Sequence, residues 1–317
     1  MKKIILVIGL VLAMLLTACT PVNKNENKNE SVNDNKVSDD KKIVASSTSF
    51  INDMVKVLAG DFVQRELIIP AGEDPHVYVA KPEDLNKIKN ANLVLYHGLH
   101  FEGKMIEMLE KVGQNITSEF SGEDTTIMED DGETVLDPHF WFDLNLYKKA
   151  ITKVAEHLEK LVPEKSKEIK ENLNVYMTKL DELDKENREL LDQIPKESRY
   201  LVTPHDAFNY FSRYYNIEVV APQGVSTQSE VANKDLEDTA SLIAEKKIKA
   251  IFAETTTDPQ RMEKLKEIVR SKGSDVKVVS GHGNELFSDS LAPEGEKGDS
   301  FIDMYRHNVK LISDNLK

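Results

Sequence analysis

A helical span of about thirty residues divides this chain into two parts that repeat one order of strands and helices. Between Pro163 and Ile194, apolar residues recur mostly at three- and four-residue steps, the period of an α-helix. Pro163 is typical of a helix start, and Pro195 ends the pattern. About thirty residues at 1.5 Å each span roughly 45 Å. The sequence therefore predicts a long rigid helix, residues 163–195, that bridges two lobes.

The segments on either side of this helix alternate short apolar strands with amphipathic helices. Alternation at these lengths indicates parallel sheets. We therefore predict an α/β fold with two lobes of mainly parallel sheet, residues 41–162 and 196–317. Residues 121–135 are acidic and contain glycine, and we expect a surface loop there. The predicted strands are 43–45, 66–69, 92–96, 200–202, 217–221, 250–253 and 276–279.

The first forty residues have the composition of an export signal followed by a spacer. Two lysines precede an apolar run over residues 4–16, which is too short for a lasting bilayer span and has the length of a signal-peptide core. The run ends in Leu16-Thr17-Ala18-Cys19, which is similar to the bacterial lipoprotein box. We predict a lipoprotein signal peptide over residues 1–18, a lipid anchor on Cys19, and a disordered tether over residues 19–40, which are polar and charged. The alternative is a secretory signal that contains a cysteine by chance.

Charge and cysteine content exclude several classes of function. The chain has 41 basic and 55 acidic residues, a net charge of −14, whereas a nucleic-acid-binding protein needs a basic face. Its single cysteine excludes a disulfide framework and any cysteine-rich zinc or iron–sulfur site. A metal site in this protein would therefore use histidine and carboxylate side chains.

Three of the eight histidines directly follow a proline. Proline fixes its own φ and favours an extended conformation in the residue before it, so the next side chain leaves the strand at a defined angle. Two of these histidines share a triplet, Asp74-Pro75-His76 and Asp137-Pro138-His139, and the third lies in Pro204-His205 after a predicted strand. Ligands gather at the carboxyl ends of parallel strands. We predict that His76, His139 and His205 converge there to bind a metal; the alternative is three surface or capping histidines.

Three imidazoles call for a fourth ligand, usually a carboxylate or water. Glu254 follows the strand that ends at Ala253, and Asp289 lies in the loop after the last strand. The residues alone do not decide between these two carboxylates. The other histidines are weaker candidates for ligands (His97, His100 and His282) or are interpreted as structural (His157 and His307).

Five stretches of the sequence together resemble one protein family: residues 74–78, 96–105, 137–143, 201–208 and 285–289. With them, residues 41–317 are similar to the TroA-like manganese/zinc solute-binding lipoproteins of bacterial ABC importers. The resemblance implies two α/β lobes bridged by one rigid helix, and a metal held by His76, His139, His205 and Asp289. It places Glu254 in the shell behind the ligands, and it does not use His97 or His100 as ligands.

The resemblance also implies a function. The chain would be a lipid-anchored monomer on the extracytoplasmic face of the bacterial cell membrane, where it captures one Mn²⁺ or Zn²⁺ ion and delivers it to an ABC permease. It would catalyse no reaction and bind no nucleic acid. Two alternatives stay open: a metallohydrolase that uses the same His/Asp metal site with Glu254 as its base, and a surface adhesin stabilised by the metal. Ester hydrolysis that depends on Glu254 would favour the first, and loss of adhesion without loss of metal uptake the second.

The identity of the ion rests on two opposing arguments. A site with three imidazoles binds Zn²⁺ more tightly than Mn²⁺ by the Irving–Williams order. However, Gly98–Lys104 resembles the manganese-type members, and the acidic segment 121–135 lacks the histidines of zinc-dedicated members. His205 stands where some manganese-dedicated members have glutamate. We therefore expect both ions to bind, zinc more tightly, with manganese as the transported ion.

Overall fold

The first half of the fold is built on a four-stranded parallel sheet. The computed structural model describes residues 41–130 and 133–317, so the predicted signal peptide, Cys19 and tether lie outside the described residues. The strand order is β2-β1-β3-β4, with Val44 of the first strand paired to Arg65 and Leu93 of its neighbours. The strands are β1 Ile43–Ser46, β2 Gln64–Leu67, β3 Leu93–Tyr96 and β4 Gln114–Asn115. The helices between and after them are α1 Ser49–Ala59, α2 Pro82–Asn90 and α3 Ile106–Val112.

The acidic segment after this sheet contains a β-hairpin, so the prediction of a surface loop over residues 121–135 is wrong in part. Strand β5, Ile127–Asp130, pairs antiparallel with β6, Glu133–Leu136. The prediction rested on composition. Because acidic residues and glycine outnumber the apolar residues in this segment, the two strands were not predicted. The sequence signal for a hairpin was nevertheless present as the Asp-Gly pair at positions 131–132.

The second half contains two parallel strand pairs, β7 with β8 and β9 with β10. Single bridges continue the pairing past the strand ends, from His205 to Gln223 and from Glu254 to Leu286. These bridges lie close to the candidate ligands His205 and Asp289 in the sequence. The strands are β7 Tyr200–Val202, β8 Glu218–Val220, β9 Ala250–Phe252 and β10 Lys277–Val279. The helices of this half are α6 Asn209–Tyr215, α7 Asn233–Lys246, α8 Gln260–Ser271 and α9 Phe301–Leu316.

Two long helices connect the halves. Helix α4, Leu144–Leu161, begins at Asp143, whose carboxylate accepts a hydrogen bond from the Asn145 N–H and so satisfies a free amide of the first turn. Helix α5, Ser166–Leu191, follows a single 3₁₀ turn at Pro163–Lys165. Its 26 residues extend roughly 39 Å. The long helix is thus slightly shorter than the predicted span. No helix in the described part of the chain is both long and apolar enough to cross a membrane.

One cluster of buried apolar side chains runs through both halves. It contains Phe50 of α1, Tyr147 of α4, Leu180 of α5 and Tyr305 of α9. Tyr147 also stacks on Phe301, with ring centroids 3.6 Å apart and nearly parallel planes. The long helices α4 and α5 therefore pack against both halves and contribute to one continuous core.

Candidate metal centre

The structure brings the three histidines that follow proline to one place. His205 lies just beyond β7, His139 three residues after the end of β6, and His76 in the loop between β2 and α2. Asp289, from the loop that leads from β10 to α9, joins them. One candidate ligand atom from each of the four residues lies within 4.8 Å of every other. Segments from both halves therefore meet in a group of three imidazoles and one carboxylate.

The distances within this group have the scale of a first coordination sphere. The Nε2 atoms of His76 and His139 are 3.4 Å apart, and Asp289 Oδ1 is 3.2 Å from His139 Nε2. Asp289 Oδ2 is 3.2 Å from His205 Nε2. Ligand atoms about 2.1 Å from one tetrahedral ion lie roughly 3.4 Å apart. The separations thus fit a single ion among the four side chains.

The four side chains are buried, and several of their polar atoms have no hydrogen-bond partner among the described residues. His139, His205 and Asp289 are 0% exposed, and His76 is 2% exposed. Within the described residues, both Asp289 oxygens and His205 Nε2 make no hydrogen bond of acceptable geometry despite their short separations. Unpaired buried polar atoms are costly. A divalent cation would satisfy all three, so the donor set fits a metal.

Carboxylates behind two of the imidazoles fix which nitrogen faces the centre. His139 Nδ1 lies 2.7 Å from Asp137 Oδ1, and His205 Nδ1 lies 2.5 Å from Glu254 Oε2. Ser288 Oγ donates to the same Glu254 oxygen at 3.0 Å. In this arrangement Nδ1–H donates to the carboxylate, and the lone pair of Nε2 points inward. The structure thus separates the two carboxylates that the sequence could not rank: Asp289 lies among the Nε2 atoms, and Glu254 lies behind His205.

Burial and neighbouring charges set the protonation of the side chains in the group. Burial favours the neutral ring of His76, whose pKa falls to about 3. Burial acts in the same direction on His139, but Asp137 and Asp289 outweigh it and raise the pKa of that imidazole to about 9. Burial would raise the pKa of Asp289, yet His205 and His139 hold it well below the usual value. Ionised Asp289 attracts a cation in this dry environment, and an entering metal ion has to displace the proton that the raised pKa keeps on His139 at neutral pH.

Aromatic rings pack against two of the candidate ligands, His76 and His139. The Trp141 ring centroid lies 5.2 Å from that of His139, and its Nε1 donates to the Ser288 carbonyl at 3.0 Å. Phe101 packs edge-on against His76 with ring centroids 5.1 Å apart. These rings exclude water and limit the imidazoles to few orientations. Trp141 is also the only tryptophan of the chain.

The remaining histidines lie outside this group. His97 is buried, and its Nε2 lies 2.8 Å from Thr48 Oγ1; burial lowers its pKa to about 3. His100 is exposed, and His307 Nε2 contacts the Glu285 carbonyl at 2.9 Å. The described residues contain one cluster of metal-ligating side chains, and five histidines lie outside it: His97, His100, His157, His282 and His307.

The role of the aspartate in each Asp-Pro-His triplet was not predicted from the sequence. Asp74 Oδ1 accepts the backbone N–H of His76 at 2.9 Å, and Asp137 Oδ1 accepts that of His139 at the same distance. The triplet is therefore a small turn in which aspartate caps the histidine two residues later. Its repetition in the sequence was the available signal.

A family model described as zinc-uptake complex component A, periplasmic (ZnuA), matches residues 44–315. The chain belongs to this family. The predicted resemblance to metal-binding lipoproteins of ABC importers is thereby confirmed.

Two relatives and one solved structure illustrate the similarity. The zinc-binding protein TroA of Treponema pallidum is 37% identical over 86% of this chain and 88% of its own length. The manganese-binding lipoprotein MntA of Bacillus subtilis is 34% identical over 86% of this chain and 89% of its own. A solved TroA structure, concerned with metal-binding specificity, has 59% identity and a TM-score of 0.86, and covers 87% of this chain and 100% of that one. The predicted fold class, two α/β lobes joined by one long helix, is confirmed.

Proposed function

We propose that this protein captures a divalent transition-metal ion outside the cytoplasm and delivers it to an ABC permease. The observation that carries the proposal is the buried group of His76, His139, His205 and Asp289, with donor atoms within 4.8 Å of one another. The names of the relatives as zinc- and manganese-binding proteins support it. One ion per chain is expected, because the described residues contain one such group.

The surroundings of the group favour transport over catalysis. A catalytic zinc site keeps one coordination position open for water or substrate. Here the candidate ligands face one another and are at most 2% exposed, and Glu254, the base that a hydrolase would need, is engaged by His205 and Ser288. The arrangement suits complete enclosure of an ion. We therefore propose a binding protein and not a metallohydrolase.

The carboxylate of Asp289 bears on the choice of ion. Its two oxygens face different imidazoles, Oδ1 towards His139 and Oδ2 towards His205, and both are free of hydrogen bonds among the described residues. A bidentate carboxylate with three imidazoles gives five donors, which accommodates Mn²⁺ as well as Zn²⁺. Nitrogen donors still favour zinc at equilibrium. We propose that both ions bind, that zinc binds more tightly, and that manganese is the transported ion.

The same proposal includes an anchor and a domain arrangement. We infer that residues 1–18 are removed, that lipidated Cys19 holds the protein to the outer face of the cell membrane, and that residues 19–40 act as a tether. About 20 flexible residues reach roughly 25 Å. The protein would act as a monomer, with lobes over residues 41–162 and 196–317 joined by residues 163–195. MntA, named a lipoprotein, supports the anchor.

Metal analysis and transport together test the proposal. Elemental analysis of the full chain, purified under trace-metal control and then loaded, should give one zinc or manganese ion per chain. Competition titration should show zinc displacing manganese at equal free concentrations. A deletion strain should lose manganese uptake and recover growth on added manganese. Growth rescue by zinc but not by manganese would contradict the proposed transported ion, and absence of bound metal would contradict the function itself.

A further inference from the structure

The three candidate imidazoles are not held equally. Carboxylates orient the His139 and His205 rings through their Nδ1 atoms, at 2.7 Å and 2.5 Å. His76 has no such partner for Nδ1 among the described residues, and its ring is fixed only by contacts such as that with Phe101. Metal-binding histidines usually donate their second nitrogen to a fixed acceptor. His76 is therefore the least constrained of the three, and also the only one with any exposed surface.

Hydrogen bonds from the second half of the chain hold the backbone that carries His76. Gln228 Nε2 donates to the His76 carbonyl at 2.6 Å, and Thr227 Oγ1 donates to Asp74 Oδ2 at 2.5 Å. The other Asp74 oxygen accepts the His76 N–H. Two adjacent side chains thus fasten the first Asp-Pro-His turn across the junction between the halves. We call Thr227 and Gln228 the latch.

The second Asp-Pro-His turn is fastened differently. Asn209 Nδ2 donates to Asp137 Oδ2 at 3.1 Å, and the Tyr210 hydroxyl donates to the Asp137 carbonyl at 2.9 Å. Tyr210 is fully buried and belongs to the main core, and Asn209 is partly buried. Gln228, in contrast, is exposed, and Thr227 is only partly buried. Of these two cross-connections, the one at His139 is built into the core and the one at His76 lies at the surface.

A small cavity opens to solvent beside the latch. It has a volume of about 190 Å³, and its lining includes His76, His100, Pro138, Ser226 and Gln228. His76 is the only one of the four candidate ligands that lines it. Gly103 also packs against the His76 carbonyl, so closely that a β-carbon there would lie 2.0 Å from the His76 carbonyl oxygen and 2.9 Å from Gln228 Nε2. The His76 carbonyl therefore lies against both Gly103 and the latch residue Gln228.

We propose that Thr227 and Gln228 gate the metal centre: opening of the latch frees the His76 turn, His76 leaves the ion first, and the ion enters and leaves through the adjoining cavity. This inference rests on the proposed function. The latch residues act as positioning residues, since they contact the backbone and the capping aspartate and not the ligand atoms. His139, His205 and Asp289 stay in place during the step.

The contacts of the latch give it a kinetic signature. Because they do not involve His76 Nε2, the latch stabilises the closed centre to a similar extent with and without an ion. Weakening the latch should therefore speed both entry and exit and leave the dissociation constant nearly unchanged. Loss of one hydrogen bond changes an equilibrium by roughly three- to tenfold. A residue that merely supported the ligands would instead raise the dissociation constant.

Stopped-flow kinetics on the full chain in detergent can test the gate. Zn²⁺ release is started with excess EDTA and followed both by Trp141 fluorescence and by a chromogenic chelator, and zinc association is followed by fluorescence. Gln228→Ala and Thr227→Val should each accelerate release and association about three- to tenfold, with dissociation constants within about twofold of the wild type. Thr227→Ser keeps the hydroxyl and should restore wild-type rates.

Gln193→Ala is the matched control, since Gln193 is exposed just beyond the end of α5, and the hydrogen bond that its side chain makes among the described residues goes to the Glu189 carbonyl. It should leave both rates unchanged. Wild-type rates in both latch variants would overturn the gate and leave the proposed function intact. A raised dissociation constant with unchanged association would likewise overturn it and make the latch a ligand support. Absence of zinc binding by the wild type would overturn the proposed function, and the gate with it.

Discussion

Replacing Asp53 by asparagine should stabilise this protein at neutral pH and change its stability little in mild acid. Asp53 lies on α1, is 4% exposed, and accepts the backbone N–H of Phe301 at 3.0 Å where α9 begins. Burial raises the pKa of its carboxyl to about 6 from 3.8, although the Phe301 N–H and Lys56 oppose the rise. An asparagine oxygen can accept the same hydrogen bond without a charge.

The sign and size of the effect follow from proton linkage. A raised carboxyl pKa means that the folded state binds the proton more tightly than the unfolded state does, so stability falls as the pH rises. The loss is absent well below pH 3.8 and complete above about pH 6. A shift of about two units at 1.36 kcal/mol each gives roughly 3 kcal/mol. The charged and titratable groups facing Asp53 are Lys56, Arg65, Asp299, Tyr147 and Tyr176.

Urea unfolding at pH 4.0, 5.5 and 7.5, with EDTA present and Trp141 fluorescence as the signal, measures the difference. The Asp53→Asn variant should be more stable than the wild type by about 2–3 kcal/mol at pH 7.5, and by less than about 1 kcal/mol at pH 4.0. Asp61→Asn alters an exposed carboxylate just beyond the same helix and should stay within about 0.5 kcal/mol of the wild type throughout. A difference for Asp53→Asn that does not vary with pH would refute the burial argument.

Four further predictions concern the anchor and the metal centre. Cys19→Ser should free the protein from the membrane fraction; retention after a high-salt wash would count against lipidation. His139→Ala should abolish most of the rise in melting temperature that zinc gives by mass action, and a full rise would exclude it as a ligand. Glu254→Gln should weaken zinc binding about tenfold in competition titrations, because a neutral amide supports the His205 ring less well; equal affinity would contradict this role. Dialysis at pH 4 should strip the metal, as protons compete for imidazole, whereas unchanged occupancy would argue against histidine ligands.

The regular alternation of strands and helices made the fold class predictable. Buried strands such as Ala250–Phe252 are continuous apolar runs, and helix α5 keeps its helical period over many turns. Such patterns follow from burial, which the sequence records directly. The hairpin of β5 and β6 escaped because its apolar residues are few and two of them, Ile127 and Leu136, are exposed. Among its side chains whose burial is described, none is fully buried, so the strands carry little periodic signal.

The candidate site was predictable only to the level of residue type and position along each strand. The prolines before His76, His139 and His205 made these histidines recognisable, because a proline restricts the backbone conformation of its neighbours. The choice between Glu254 and Asp289 depends on which side of the His205 ring each carboxylate reaches, and that is a tertiary property. The latch was invisible for the same reason, since Gln228 meets His76 only after the halves have packed together.

The continuous core has a consequence for the lifetime of the protein. Because Phe50, Leu180 and Tyr305 belong to one apolar cluster, neither half can unfold without exposing the buried surface of the other. A bound ion that joins both halves then protects the whole body by mass action. Extracellular proteases, which cut unfolded chains, would degrade the unloaded receptor faster than the loaded one. With the proposed anchor, metal supply would thus set the number of receptors on the membrane without any change in gene expression.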